Sequence, residues 1–277
     1  MHLMKVDPRA LKDNPDRTRQ TKASPRADAL LLATIKAVGI IQPPVVFPET
    51  GGGNGYIIDA GHRRVRQAIA AAIDRKAVIE GAADGFGTPI GSYYTPGAPG
   101  YIDLTGTNAY DVARARALLH QAGVALPLEL TMKLPPTPYA RQGGEVIAAM
   151  LDKVGIRAKI ENVEWAQWLS GVYKDKAYDL TVIAHVEPLD FGNFARPGYY
   201  WNYESPQFNE LWAKIQATAR ADERNQLMGD AQRLVADDAV AAYLYQPTWI
   251  TVANARLKGL WKDVPLFAND LSALSWQ

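Results

Sequence analysis

Apolar and polar positions alternate with two different periods along this chain, and the change from one to the other marks its elements. From Leu126 onward the two periods take turns. "LPLELTMKL" (126–134) and "IRAKIENVE" (156–164) carry a period of two, which predicts strands, and "YARQGGEVIAAMLDKVG" (139–155) between them carries helical spacing. "WAQWLSGVYKDK" (165–176) predicts another helix, and the apolar run "YDLTVIAHV" (178–186) a buried strand. Two helices follow, "SPQFNELWAKIQATA" (205–219) and "ADERNQLMGDAQRLVADDA" (221–239), and then two strand-like runs, "VAAYLYQ" (240–246) and "WITVANA" (249–255). Strands alternating with helices in this way predict an α/β layered domain.

The first part of the chain is patterned differently. "ADALLLATIKAVG" (27–39) places Leu30, Leu31, Ile35 and Val38 at helical spacing, with Gly39 as its stop. "IIQPPVVF" and "YIID" read as two strands of a hairpin joined by "PETGGGNG", whose glycines and asparagine supply the positive φ that a turn needs. A single helix is predicted over 63–81, "RRVRQAIAAAIDRKAVIEG", with Val65, Ile69, Ile73, Ala77 and Val78 as its apolar stripe and Gly81 as its end. Beyond it, about 25 residues rich in Gly, Pro and Tyr reach Asn108 or Asp111, one of which caps the helix "DVARARALLHQAG". A loop of that length in a compact domain reads as functional or wrapped over a surface.

Composition narrows the function. Thirty Lys and Arg stand against 29 Asp and Glu, so no overall charge draws the chain to nucleic acid or membrane. A local basic run (Arg9, Lys12, Arg17, Arg19, Lys22, Arg26) reads as a solvated face. There is no cysteine, which excludes disulfides, thiolate metal sites and a thiol nucleophile. No apolar run is long enough to cross a membrane, and "MHLMKVDPRALKDNPDRTRQ" has no apolar signal core, so the chain as written is expected in the cytoplasm. No nucleophile elbow, phosphate loop or dinucleotide fingerprint is present; "GGGNG" precedes a strand and reads as a turn, so an enzyme is not expected.

Two resemblances follow from quoted words. "VDPRALKDNPDRTRQ", "LLLATIKAVGIIQPPVVF" and "YIIDAGHRRVRQA" resemble the N-terminal domain of ParB-type partition proteins, a small α+β fold shared with sulfiredoxins. Without cysteine the sulfiredoxin redox activity is excluded. The resemblance implies a nucleotide, usually CTP, on Gly61, His62, Arg63 and Arg64, with Gln42 near the pocket. Backbone N–H groups at a helix start and two guanidinium groups suit phosphate. The reading that needs no ligand is two solvated arginines opening a surface helix. No helix-turn-helix follows, so DNA is not an expected partner.

"RVRQAIAAAIDRKAVIEGAADGFGTPIGSYYTPGAPGY", "YDVARARALLHQAGV" and the words from "MLDKVGIRAKIENVEW" to "VANARLKGLW" resemble family 5 extracellular solute-binding proteins, the peptide- and nickel-binding components of ABC importers. That resemblance implies the C-terminal lobe of a type II periplasmic-binding-protein-like fold. It also implies a short peptide or small polar solute as partner, and an ABC permease if the protein is exported. The first lobe of the family is not among the matching words, and one lobe alone does not trap a ligand by closure. The two patterns meet at Arg64-Val65-Arg66, which predicts a partition-type domain over 1–64 and a solute-binding lobe over 65–277. A chimera without a native function is the third reading.

Ligand contacts of this lobe are expected in "IAHVEPLDFGNFARPGYYWNY", after the last buried strand. His185, Glu187, Asp190, Phe191, Tyr199, Tyr200, Trp201 and Tyr203, with Arg196, gather there, and ligands of open α/β sheets sit at the C-terminal ends of strands. A carboxylate in this loop suits an amino terminus, and aromatic faces suit side chains or cations. The family's "W-x-G-D" pattern is replaced here by "AHVEPLD". His185 and Glu187 are two groups only, too few for a metal, and His2, His62 and His120 lie elsewhere, so no metal is expected. The competing reading is a packed aromatic loop whose charges face water.

Overall fold

The computed structural model describes residues 11–13, 46–48, 56–58, 62–187, 190–261 and 270–277. It divides into two compact units, Met1–Gln246 and Pro247–Gln277. The helix expected over 27–39 lies outside the described residues.

In the first unit a small sheet has the order β1-β3-β2, with β1 at Leu11–Asp13, β2 at Val46–Pro48 and β3 at Tyr56–Ile58. The two strands of the predicted hairpin pair antiparallel, Val46 opposite Ile58, and β1 joins parallel to β3. The third strand was not foreseen, because "LKD" alone carries no periodic signal.

Two helices replace the single one expected over 63–81: α1 at His62–Ala72 and α2 at Arg75–Ala83. The break has a local cause. Asp74 takes an extended backbone, and its carboxylate accepts the N–H groups of Lys76 and Ala77 at 3.0 and 3.4 Å, so a new helix starts there. Gly81 is not the terminus either. A Cβ there would stand 2.7 Å from the Val146 Cγ2, so the glycine permits close helix packing, and the helix ends at Asp84 in the left-handed region, φ 49°.

After the short strand β4 (Gly87–Pro89) comes the Gly-Pro-Tyr loop, and it folds back on itself. A Cβ on Gly91 would run into the backbone of Leu104, while Ser92 Oγ donates to the carbonyls of Tyr94 and Ile102. Since backbone cannot rotate aside, Gly91→Ala should cost about 1–3 kcal/mol. A urea melt checks this; a variant as stable as the parent would show that the loop is not held there.

Asp111 is the residue that caps α3 (Val112–Ala122), accepting from Arg114 N at 2.8 Å, and Gly123 ends it at φ 68°. The main sheet is parallel, in the order β6-β5-β7, from β5 (Leu128–Leu134), β6 (Ile156–Asn162) and β7 (Leu180–Thr181). Helix α4 (Pro138–Asp152) connects β5 to β6 and lies close on β5, where Gly144 leaves room for the Leu134 methyls. Leu119, Met132, Leu134, Leu151 and Ile156 form the buried centre of this layer.

The predicted strand over 178–186 is cut to two residues, both half-buried. β7 stands at the sheet edge, and Ala184 N–H donates to the Tyr139 hydroxyl at 3.1 Å rather than to a neighbouring strand. The helix expected over 165–176 is one α-turn, α5 (Trp165–Gln167), running into a wider π-helical stretch, Trp168–Lys174. Helices α6 (Pro206–Ala217) and α7 (Ala221–Asp237) form as predicted, α6 capped by Ser205. They pack with Phe191, Phe194, Trp201, Tyr203 and Val235 into a second, aromatic core. The run 240–246 contributes the start of β8 (Tyr245–Pro247), which pairs with β4.

In the second unit β9 (Leu257–Lys258) pairs antiparallel with β10 (Ser275–Trp276). The strand expected over 249–255 does not form. Trp249, Ile250 and Val252 are exposed there, and no strand among the described residues offers those residues a ladder.

Candidate functional site

The chain leaves β7 at the C-terminal edge of the parallel sheet, and His185 and Glu187 follow within six residues. A 3-10 turn at Asp190–Ala195 brings Asp190 back toward them. The π-helical stretch contributes Trp168, Leu169 and Tyr173, and the loop before α6 contributes Tyr199 and Tyr200. Together these line an open cavity of about 300 Å³, with Ile183, Ala184 and Asn193.

Five of the eight expected ligand contacts (His185, Glu187, Asp190, Tyr199, Tyr200) line this cavity. The other three are placed beneath it. Phe191 is fully buried, Trp201 stacks on Phe194 at 4.3 Å, and the Tyr203 hydroxyl donates to Asp238 Oδ2 at 2.8 Å. Arg196 lies over the Tyr199 ring, 5.6 Å from its centroid.

The polar wall is held from several elements. His185 Nδ1 stands 3.0 Å from Asp190 Oδ2, and its Nε2 stands 2.8 Å from the Tyr200 hydroxyl. The Tyr93 hydroxyl, from the distant Gly-Pro-Tyr loop, donates to Asp190 Oδ1. Burial, then the bond to Asp190, pushes the Tyr93 phenol far up; burial, then the neighbouring Tyr178 and Tyr199, does the same for Tyr200. Tyr199 is pushed up to about 12, chiefly by burial. All three phenols are therefore neutral at ordinary pH. The sequence reading missed Tyr93, Trp168 and Tyr173; the only signal for Tyr93 was the aromatic crowding of "SYYTPG". It also counted two metal-type groups, and the fold brings Asp190 in as a third.

A second cavity, of about 400 Å³, lies beside Asp74, Arg75, Lys76, Pro89, Thr105 and Tyr110. Its arginine is committed: Arg75 donates to the carbonyls of Tyr243 and Thr105 at 2.8 and 3.0 Å. Its carboxylate, Asp74, is likewise taken up by backbone N–H groups, whereas the cavity at β7 is lined by two carboxylates, an imidazole and three phenols.

Of the phosphate-type residues, Gln42, Gly61 and the side chain of His62 lie outside the described residues. Arg63 Nη1 pairs with Asp238 Oδ1 at 3.5 Å, and its Nε donates to the Asp237 carbonyl at 3.3 Å. Arg66 donates twice to the Asp238 carbonyl, at 3.2 and 2.9 Å, so α1 is tied to the C-terminal end of α7, where cations are favoured. Arg64 adjoins them in the first turn of α1. Burial holds the Asp238 carboxyl above its usual range, against the opposing pull of Tyr203 and Arg63. A raised folded-state value gives stability that is complete below the unfolded value, about 3.9, and lost as pH rises through the folded one. Asp238→Asn, which cannot titrate, should therefore gain on the parent between acid and neutral pH. Urea melts across that range check the sign; a gain that grows toward acid would contradict it.

Two families of known proteins match this chain. The family model of bacterial extracellular solute-binding proteins, family 5, middle part, matches residues 55–209, and that of the ParB N-terminal domain matches residues 1–84. The dipeptide-binding protein of Escherichia coli is 27% identical over 218 residues, covering 71% of this chain and 39% of that protein. A probable chromosome-partitioning protein ParB of Treponema pallidum is 39% identical over 74 residues, 27% of this chain and 22% of that one. In fold, the chain is similar to an ABC transporter substrate-binding protein of Listeria monocytogenes: TM-score 0.69 at 21% identity, with 77% of this chain and 47% of that one covered. The chain thus spans about half or less of these solute-binding relatives. Among the described residues no helix is long and apolar enough to cross a membrane. The α/β part has the type II periplasmic-binding-protein fold, and the match over 55–209, more than half of the residues, makes this chain a member of the bacterial extracellular solute-binding proteins of family 5.

Proposed function

We propose that residues 65–277 act as a non-enzymatic solute-binding lobe of ABC-importer type, taking a short peptide or a similar polar solute with a cationic amino group. One observation carries the reading: Glu187 and Asp190 face an aromatic-walled cavity of about 300 Å³ at the C-terminal edge of a parallel sheet. That volume is at the lower end for small-molecule sites, and two carboxylates among aromatic rings suit an ammonium group. The name of the E. coli relative, a dipeptide-binding protein, supports the ligand class. The test is calorimetric titration of di- to pentapeptides into the whole chain. Saturable binding supports the lobe as a working site, and heats no larger than dilution, from a chain that melts cooperatively, count against it.

A second reading rests on the ParB match over 1–84: a nucleotide such as CTP held where α1 begins, by Gly61, His62, Arg63 and Arg64 with Gln42 nearby. It needs Arg63 to exchange Asp238 for phosphate. A thermal shift with CTP and magnesium that Arg63→Ala abolishes supports it. Silence from peptide and nucleotide alike leaves the third reading, a folded fusion joined near Arg64–Arg66 whose two half-sites do not work.

A further inference from the structure

His185, Glu187 and Asp190 each offer one ligand atom, and these atoms all lie within 4.8 Å of one another. We infer that they form a binding site for a divalent transition cation of the Zn²⁺ or Ni²⁺ type, open on its far side to the cavity. The inference rests on the proposed solute site, because the open side is where the solute would lie.

Three features of the wall point to an ion rather than to three solvated groups. First, two ligand atoms bonded at about 2.1 Å stand about 3.0 Å apart at the right angle of an octahedral ion and about 3.4 Å apart at a tetrahedral angle. His185 Nδ1 and Asp190 Oδ2 already stand 3.0 Å apart, so a cation can replace the proton between them with little movement of either side chain. Second, the outer groups match those that fix metal ligands. With Nδ1 on the ion, Nε2–H donates to the Tyr200 hydroxyl at 2.8 Å. Tyr93 donates to the other oxygen of Asp190, and Oδ2, whose other neighbour is the Asn193 amide at 3.5 Å, turns to the ion. Third, the side chains of His185 and Asp190 are only 22% and 14% exposed, so their rotamers are held by packing before any ion arrives. Glu187 is exposed and adjusts; its Oε2 accepts the Val186 N–H at 3.2 Å.

One imidazole and two carboxylates suit borderline transition cations better than Mg²⁺ or Ca²⁺, which prefer oxygen alone. Three protein ligands leave further positions open, as in sites that bind an exchangeable molecule. Those positions face the cavity, where a neutral amine or a carboxylate of a small solute would complete the shell. The same two carboxylates then serve in either of two ways: directly to an ammonium group, or through a cation to an amine.

The test is calorimetric titration of the EDTA-stripped, dialysed full chain with ZnCl₂ and NiCl₂, with MgCl₂ and CaCl₂ as controls. The expected result is one Zn²⁺ or Ni²⁺ per chain, weakened at least tenfold by His185→Gln and by Glu187→Gln. Glu187 is exposed, so the second change should leave the thermal midpoint of the metal-free chain where it was, which separates lost ligation from lost folding. Absence of Zn²⁺ and Ni²⁺ binding, equal binding of Mg²⁺, or Zn²⁺ binding unchanged in both variants would overturn the site. Peptide titrations with Zn²⁺ and with EDTA separate this inference from the solute reading. Peptides bound equally well in EDTA, with Zn²⁺ unbound, sink the metal site and keep the solute site. Zn²⁺ bound through His185 with every peptide refused does the reverse. Peptide affinity that rises with Zn²⁺ supports both.

Discussion

Phe191→Ala should lower the stability of the first unit by about 3–5 kcal/mol. In a domain of this size that is a fall of about 6–20 °C in midpoint. Phe191 is fully buried, and its ring lies 5.3 Å from Tyr93, 5.4 Å from Tyr94 and Phe194, 5.5 Å from Phe208 and 6.1 Å from Trp212. It therefore joins the Gly-Pro-Tyr loop, the 3-10 turn and α6 in one cluster. Truncation removes all of those contacts and leaves a cavity that the surrounding rings, already packed on one another, cannot close. The residue also adjoins Asp190, so the loss should loosen the site as well as the core. Val252→Ala, at a residue 91% exposed, should change the melt by less than about 0.5 kcal/mol. Thermal and urea melts of both variants decide the matter. A Phe191→Ala loss below about 1 kcal/mol would mean that the aromatic cluster is not the core of this region.

Asp190→Asn should weaken binding of a cationic solute by about ten- to a hundredfold, the range for losing a hydrogen bond to a charged group. The substitution keeps the shape and an acceptor for Tyr93 but removes the charge. Tyr93→Phe acts through Asp190 and should weaken binding less, because it leaves the charge in place and removes only a donor that orients it. Calorimetry on parent and both variants gives the ranking. If Tyr93→Phe costs more than Asp190→Asn, the charge is not what holds the solute.

Much of this organisation could be read from the chain alone. The strand-helix-strand passage from Leu128 to Asn162 was legible because its periods are long and unbroken. The cap of α3 was legible to within two candidates, Asn108 and Asp111, because a short polar side chain before a helical pattern is a local chemical signal. What was missed depended either on a choice between two local bonding patterns or on partners distant in sequence. The stop at Asp74 turns on one carboxylate choosing its own backbone over a continuing helix. β7 ends early because, among the described residues, no strand lies beyond it in the sheet, which no local pattern reveals. Tyr93 reaches a carboxylate 97 positions away, so only the folded chain shows it as part of the site. Phe191, Trp201 and Tyr203 were placed among the contacts by their composition and loop position. Burial assigns them to the packing that holds the site instead.

The most direct test is titration of a di- to pentapeptide mixture into the whole chain, parent beside Asp190→Asn, both first shown to melt cooperatively. The account predicts saturable binding to the parent and binding at least tenfold weaker in the variant. Equal affinity in the two proteins, or no binding to a folded parent, would contradict it.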